Sequence, residues 1–116
     1  MKTLLKLEDL AELALSVFAF SHLDFAWWWF PAFILLPDLS MTGYLINTRA
    51  GAVLYNLFHH KGVGIAVGVA GYMLGQEAVI FAGIILFGHS AMDRLFGYGL
   101  KYSDDFKNTH LGKIGK

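Results

Sequence analysis

Residues 77–97 read EAVIFAGIILFGHSAMDRLFG. After Glu77 the stretch is apolar until His89, Asp93 and Arg94 appear near its end. A run of about 20 such residues is what one helix needs to cross a hydrocarbon layer. Three more apolar blocks lie upstream, at about 4–21, 25–46 and 50–74. The gaps between blocks are only a few residues, so neighbours are expected to pack as antiparallel hairpins. The sequence therefore predicts an all-α, integral membrane, antiparallel four-helix bundle with short loops. It forms a single transmembrane domain over residues 1–116, with helices at about 4–21, 25–46, 50–74 and 77–97 and a polar tail at 98–116.

Composition agrees. The chain is 56% hydrophobic and 16% charged, against roughly 45–50% and about 25% in ordinary soluble domains. A soluble helical bundle would need a polar stripe on each helix, and the second and third blocks have almost none at their outer ends. Nine basic residues balance nine acidic ones, so no nucleic-acid partner is expected. The absence of cysteine excludes disulfides and thiolate metal sites. Lys2 and Lys6 followed by an apolar run resemble a signal peptide, but Glu8, Asp9 and Glu12 interrupt it and no small-residue cleavage site follows. The first helix is expected to be retained.

Charge placement predicts the topology. With the N-terminus inside, Lys2, Lys6, Arg49, Lys101, Lys107, Lys113 and Lys116 all fall on the inner side. The outer turns near 22–25 and 74–77 carry no Lys or Arg. This is the positive-inside pattern and places both termini in the cytoplasm. Trp27, Trp28 and Trp29 suit a membrane interface. Lys61 alone is out of place, Arg94 is expected to snorkel to the inner surface, and Glu12 to be solvated or hydrogen-bonded. Gly64/Gly68 and Gly71/Gly75 are small-residue pairs of the kind that let helix backbones approach closely. Helix packing is the first reading of that face, and a homo-oligomer contact or a partner helix the second. Membrane lipid is the other expected partner.

The chemistry lies in ionisable residues inside apolar blocks: Asp38, His59, His60, Lys61, His89 and Asp93. Such groups cost several kcal/mol in lipid and normally face the bundle interior. Asp38 lies ten residues before the turn at Thr48 and His59 eleven after it, so both sit ~15 Å from that turn. His60 and His89 are similarly matched about the turn near Gly75, at ~21 Å. Asp38, His59 or His60, and His89 thus converge on one level from three helices. Asp93 follows His89 by one turn on the same face, and Asn56 is near the same level. Pro37 is expected to bend its helix beside Asp38. Two imidazoles and two carboxylates without sulfur suit Zn(II), Mn(II) or Fe(II), and such a metal can bring a bound water's pKa toward neutrality. The alternatives are polar packing between helices, His59 or His60 with His89 as axial ligands of a b-type haem, and a His/Asp proton relay. The tail is expected to lie at the surface, with folding back to bring His110 near the site as the alternative.

Leu36-Pro37-Asp38-Leu39-Ser40-Met41, Gly43-Tyr44, Tyr55-Asn56, His59, Asp93-Arg94, Gly97-Tyr98-Gly99-Leu100-Lys101-Tyr102 and Thr109-His110-Leu111-Gly112 together resemble domain-of-unknown-function family 4260, a family of small bacterial membrane proteins. The resemblance covers nearly the whole chain and implies a membrane location but no activity. Because His60 is outside its motif, His59 becomes the expected ligand. A second, weaker resemblance is to an inner-membrane, metal-dependent hydrolase-like family, through Leu36-Pro37-Asp38, His59 and His89-x-x-x-Asp93. Ser40 stands where that family usually has a second aspartate. The second resemblance implies metal-dependent hydrolase chemistry, and with the polar layer it leads to the expectation of a membrane-embedded hydrolase acting on a lipid-like or amphiphilic substrate. Asp38, His59, His89 and Asp93 would hold the metal, with Tyr55, Asn56, His60 and His110 as supporting or substrate contacts. The alternative is a non-catalytic structural or partner-binding membrane subunit.

Overall fold

The computed structural model describes residues 1–105 and 107–114; Lys116, counted above among the inner charges, lies outside the described residues. The chain runs α1 (Lys2–Phe20), α2 (Trp29–Phe33), a 3-10 segment (Leu36–Leu45), α3 (Thr48–His59), α4 (Lys61–Leu74) and α5 (Glu77–Leu95). A small antiparallel pair follows, β1 (Asn108–Thr109) with β2 (Gly112–Lys113). The chain is mainly helical, as expected, but two of the four expected helices are broken.

The second block is not one helix. Pro31 is tolerated in the first turn of α2, where no backbone donor is needed, but Pro37 lacks the donor that a helix arriving from α2 would require, so the ladder cannot continue through it. The chain makes only the short α2 and then tightens into the 3-10 segment, with Pro37 at its start. A cluster of aromatic rings supports this irregular stretch. Phe25, Trp29 and Phe33 gather around Phe81 of α5, with centroids 5.1, 6.2 and 5.9 Å from it.

The third block breaks at one residue. His60 adopts extended backbone (φ −88°, ψ 122°) and so ends α3. It then caps α4, its Nδ1 accepting from the Val63 N–H at 3.3 Å, which satisfies one of the orphan donors of a helix start. The other end of α3 is capped by Asn47, whose side chain accepts from Ala50 N at 2.7 Å. The break turns His59 wholly inward and leaves His60 exposed.

Around α5 the packing is close. It packs most extensively against α4 and α1, and also meets α3 and the 3-10 segment. Glycine makes the α4–α5 contact possible: a Cβ on Gly64 would fall 2.7 Å from Phe87 N, and one on Gly71 2.5 Å from Ile80 N. Gly83 meets the backbone of Gly68 directly. The small-residue face of α4 is therefore occupied by α5 of the same chain. Gly75 has a different role, closing α4 in the left-handed conformation (φ 66°) that glycine adopts without strain. Lys61 binds Asp9 at 2.6 Å and Glu12 at 2.5 Å. This ties the start of α4 to α1 and accounts for the one cation that the charge pattern left out of place.

Among the described residues one helix, Glu77–Leu95, is long and apolar enough to cross a membrane by length and composition; α4 is apolar but shorter. The buried core of a soluble protein can contain such a helix too. The distribution of burial is more telling. The largest fully buried side chains are His59, His89 and Ser90, whereas Leu45, Ile46, Tyr72, Met73 and Trp27 are each at least 75% exposed. The buried set mixes these polar residues with apolar Phe20, Ala52, Ile84, Ile85 and Ala91.

Candidate metal centre

Asp38, His59, His89 and Asp93 meet at one point, with ligand-type atoms that all lie within 4.8 Å of one another. They arrive from three elements. Asp38 is placed by the proline-initiated 3-10 segment. His59 is the last residue of α3, turned in by the break at His60. His89 and Asp93 are one turn apart on α5. Both imidazoles are fully buried and Asp93 nearly so, while the Asp38 side chain remains 35% exposed. Asp38 is therefore the open edge of the group.

The distances are those of a small polyhedron. His89 Nε2 lies 3.0 Å from His59 Nε2 and 3.0 Å from Asp38 Oδ1. His59 Nε2 lies 3.2 Å from Asp38 Oδ1 and 3.3 Å from Asp93 Oδ2. His89 Nε2 and Asp93 Oδ2 are 3.5 Å apart. A tetrahedral site with metal–ligand bonds of about 2.0–2.1 Å has ligand–ligand edges of roughly 3.3 Å.

The far sides of the rings fix the proton positions. His59 Nδ1 is 2.8 Å from the Tyr55 carbonyl oxygen, and His89 Nδ1 is 2.6 Å from that of Ile34. A carbonyl oxygen only accepts, so each Nδ1 carries a proton and donates it. In a neutral ring, Nε2 is then a bare lone pair. Two such lone pairs and two carboxylate oxygens face the same small space.

The surroundings hold this arrangement. The Tyr55 hydroxyl donates to Asp93 Oδ2 at 3.1 Å. Its ring stacks on the His59 imidazole at 3.7 Å and 8°, a contact set by their one-turn spacing on α3. The Lys101 ammonium lies 4.6 Å from the centroid of the same phenol ring. With His59 on one face of that ring, the ammonium takes the other. Asn56 grips the Lys101 backbone at two points, donating to its carbonyl at 2.7 Å and accepting from its N–H at 2.6 Å. Burial pulls the Lys101 pKa down, opposed by the charges of Asp93, Asp105 and Asp38.

The expected supporting residues thus divide. Tyr55 contacts the group directly, and Asn56 acts through Lys101. His60 caps α4 and is exposed, so it is not part of the group. His110 is not part of it either: its Nδ1 accepts from Leu100 N at 2.7 Å, and its own N–H donates to Leu100 O at 2.9 Å. The expectation of a surface-lying tail is corrected. The tail folds back, Lys101 pairing with Thr109 and both being buried, because Asn56 offers its backbone a ready-made amide partner. Ser40 is buried but outside the group.

Arg94 also departs from expectation. It is buried rather than snorkelled, and its guanidinium donates to His59 O at 3.0 Å and Tyr98 O at 3.3 Å. The carbonyl of His59 is orphaned where α3 stops, and Arg94 satisfies it. A haem between the histidines is excluded by the geometry. Axial nitrogens stand about 4 Å apart across an iron, twice an ordinary metal–nitrogen distance, and here two carboxylates share the gap between nitrogens 3.0 Å apart.

Fold and centre together define a small helical protein with a buried His/Asp group beneath an apolar exterior. The chain belongs to the family described as a domain of unknown function (DUF4260), whose model matches residues 2–114. No curated protein and no solved structure matches it.

Proposed function

We propose that this chain is a membrane-embedded, metal-dependent hydrolase, with one divalent ion held by Asp38, His59, His89 and Asp93. The observation that carries this reading is the convergence of four acceptors. With both rings neutral and both Nδ1 protons committed to the Tyr55 and Ile34 carbonyls, nothing among the four atoms donates, and their mutual repulsion calls for a cation. The C-terminal end of α3, with its partial negative charge, favours a cation at the same place. An N₂O₂ donor set without sulfur suits Zn(II), Mn(II) or Fe(II). Bound there, the ion would activate a water for attack on a polarised bond. Tyr55 would hold Asp93 in place, Arg94 would fix the end of α3, and the exposed edge at Asp38 would admit water and substrate.

The many large apolar side chains exposed at the surface support a membrane setting, as does the apolar α5. The distribution of Lys and Arg favours termini on the cytoplasmic side of a bacterial inner membrane. A second reading has one observation behind it. The 3.0 Å Nε2–Nε2 separation also fits a proton shared by His59 and His89, which would make the cluster a structural knot in a non-catalytic membrane subunit.

Elemental analysis of the purified protein separates the two. The metal reading expects near-stoichiometric Zn, Mn or Fe that His89→Ala loses. The structural reading expects no metal, and a His89→Asn variant that assembles normally. A wild-type protein that carries no metal and binds none on titration overturns the proposal. Carbonate extraction of cell membranes tests location, since release of the chain into the supernatant contradicts membrane embedding.

A further inference from the structure

A cavity of about 400 Å³ is lined by Trp29, Phe33, Leu36, Pro37, Phe58, Phe81, Ala82, Ile85 and Leu86, none of them a member of the His/Asp group. That volume falls within the range of small-ligand pockets. The lining is aromatic and aliphatic, and the Trp29 indole supplies its only side-chain N–H. Its walls are chain neighbours of the ligand-type residues. Pro37 precedes Asp38, and Phe58 precedes His59. Ile85 and Leu86 are four and three residues before His89, on the same face of α5. Helical side chains lean toward the N-terminus, so the His89 ring leans toward the wall formed by Ile85 and Leu86. At the rim, Leu36 is 48% exposed and Ala82 is also exposed, which leaves the cavity reachable from the apolar exterior.

We propose that this cavity receives the hydrocarbon chain of an amphiphilic substrate and delivers its polar head to the His/Asp group at the exposed edge of Asp38. The proposal rests on the metal-centre reading and adds the substrate class. A polar substrate body would lose its hydration in the cavity and find no partners there. An alkyl chain loses only unfavourable contact with water. The cavity is too small for a helix, so a partner's transmembrane segment is not its occupant. A chain entering from the lipid side would be guided by the exposed apolar belt and stopped by the polar centre. The scissile group would be the part of the molecule that cannot go deeper.

The probes are straight-chain alkyl hydroxamates, from acetohydroxamate through octanohydroxamate to dodecanohydroxamate. Their heads chelate metal and their tails vary. Binding is read from the visible bands of protein loaded with cobalt(II), in detergent. Each methylene that enters the cavity is expected to tighten binding about fourfold, until the cavity is full and the gain stops. Partition into micelles also rises with chain length, so the deciding quantity is the ratio of wild-type to Ala82→Phe affinity at each length. Filling the cavity at Ala82 is expected to leave acetohydroxamate binding unchanged and to weaken dodecanohydroxamate about tenfold or more. Phe58→Ala, which enlarges the cavity, is expected to move the plateau to longer chains, and it serves if Ala82→Phe does not fold. Cobalt bands that respond to every hydroxamate with a wild-type-to-variant ratio of one throughout would overturn the chain subsite and leave the metal centre standing. Protein that takes up no cobalt would overturn both.

Discussion

Replacing Tyr55 by Phe removes one oxygen atom and little else. The ring keeps its stack on His59 at 3.7 Å and its place under the Lys101 ammonium at 4.6 Å. What is lost is the 3.1 Å bond from the hydroxyl to Asp93 Oδ2, the same oxygen that faces both histidines. If Asp93 is a ligand, that bond orients it, and outer partners of this kind are typically worth 10–100-fold in metal affinity. That factor corresponds to roughly 1.4–2.7 kcal/mol. The stabilisation conferred by saturating metal must shrink by the same roughly 1.4–2.7 kcal/mol, because binding to the folded state adds stability in proportion to the logarithm of affinity. The assay is a competition titration against a chromophoric chelator, paired with thermal unfolding at matched free metal. A Tyr55→Phe protein that folds and binds metal within twofold of wild type would refute the reasoning. The hydroxyl would then be a satisfied polar group beside the site and nothing more.

Three further outcomes follow from the geometry. Asn56→Ala removes both bonds that hold the Lys101 backbone, at about 0.5–1.5 kcal/mol each, and is expected to free the tail, read as faster proteolysis after residue 97. Lys61→Met leaves Asp9 and Glu12 facing each other without their shared cation; because all three are partly exposed, the loss is expected to be about 1–2 kcal/mol rather than the larger cost of a fully buried pair, and Asp9→Asn in the same chain is expected to recover part of it in thermal unfolding. The His110 ring has a pKa below its ordinary value through partial dehydration, with the charges of Arg94 and Lys61 adding to the effect, and its Nδ1 must be unprotonated to accept from Leu100 N. A His with a depressed folded-state pKa contributes stability that is complete above its unfolded pKa of about 6.5 and is lost as pH falls through the lower folded value. The protection of the Leu100 amide, its exchange rate relative to an unstructured amide at the same pH, is therefore expected to fall on acidification below about 6.5; a His110→Asn protein showing the same acid dependence would contradict this.

The helical class and the membership of the polar group were legible in the chain. Apolar blocks of bilayer length predict helices because backbone groups away from water must bond internally. Ionisable residues within those blocks have few places to go except inward. Equal spacing from a shared turn pointed to Asp38 and His59 on one level, although it assumed α-helical rise on both sides, and Leu36–Leu45 is a 3-10 segment with a rise of about 2.0 Å per residue. Spacing could not choose between His59 and His60, because a one-residue shift moves depth by only ~1.5 Å. That choice was made by the break in the third block, where extended backbone at His60 turns one imidazole in and the other out. Pro37 signalled a bend, but the change to a 3-10 segment depends on the aromatic cluster that holds the irregular chain.

Tertiary structure alone decided the rest. The small residues of α4 could have faced a partner, and it is the approach of α5 that covers them. Arg94 reads as a surface cation until the end of α3 presents a carbonyl that needs a donor. The return of Lys101 to Asn56 spans 45 residues, a contact that no local pattern encodes. Sequence periodicity governs which face of a helix is apolar. Which helix then stops, and what its unpaired backbone groups seek, is settled only when distant segments come into contact.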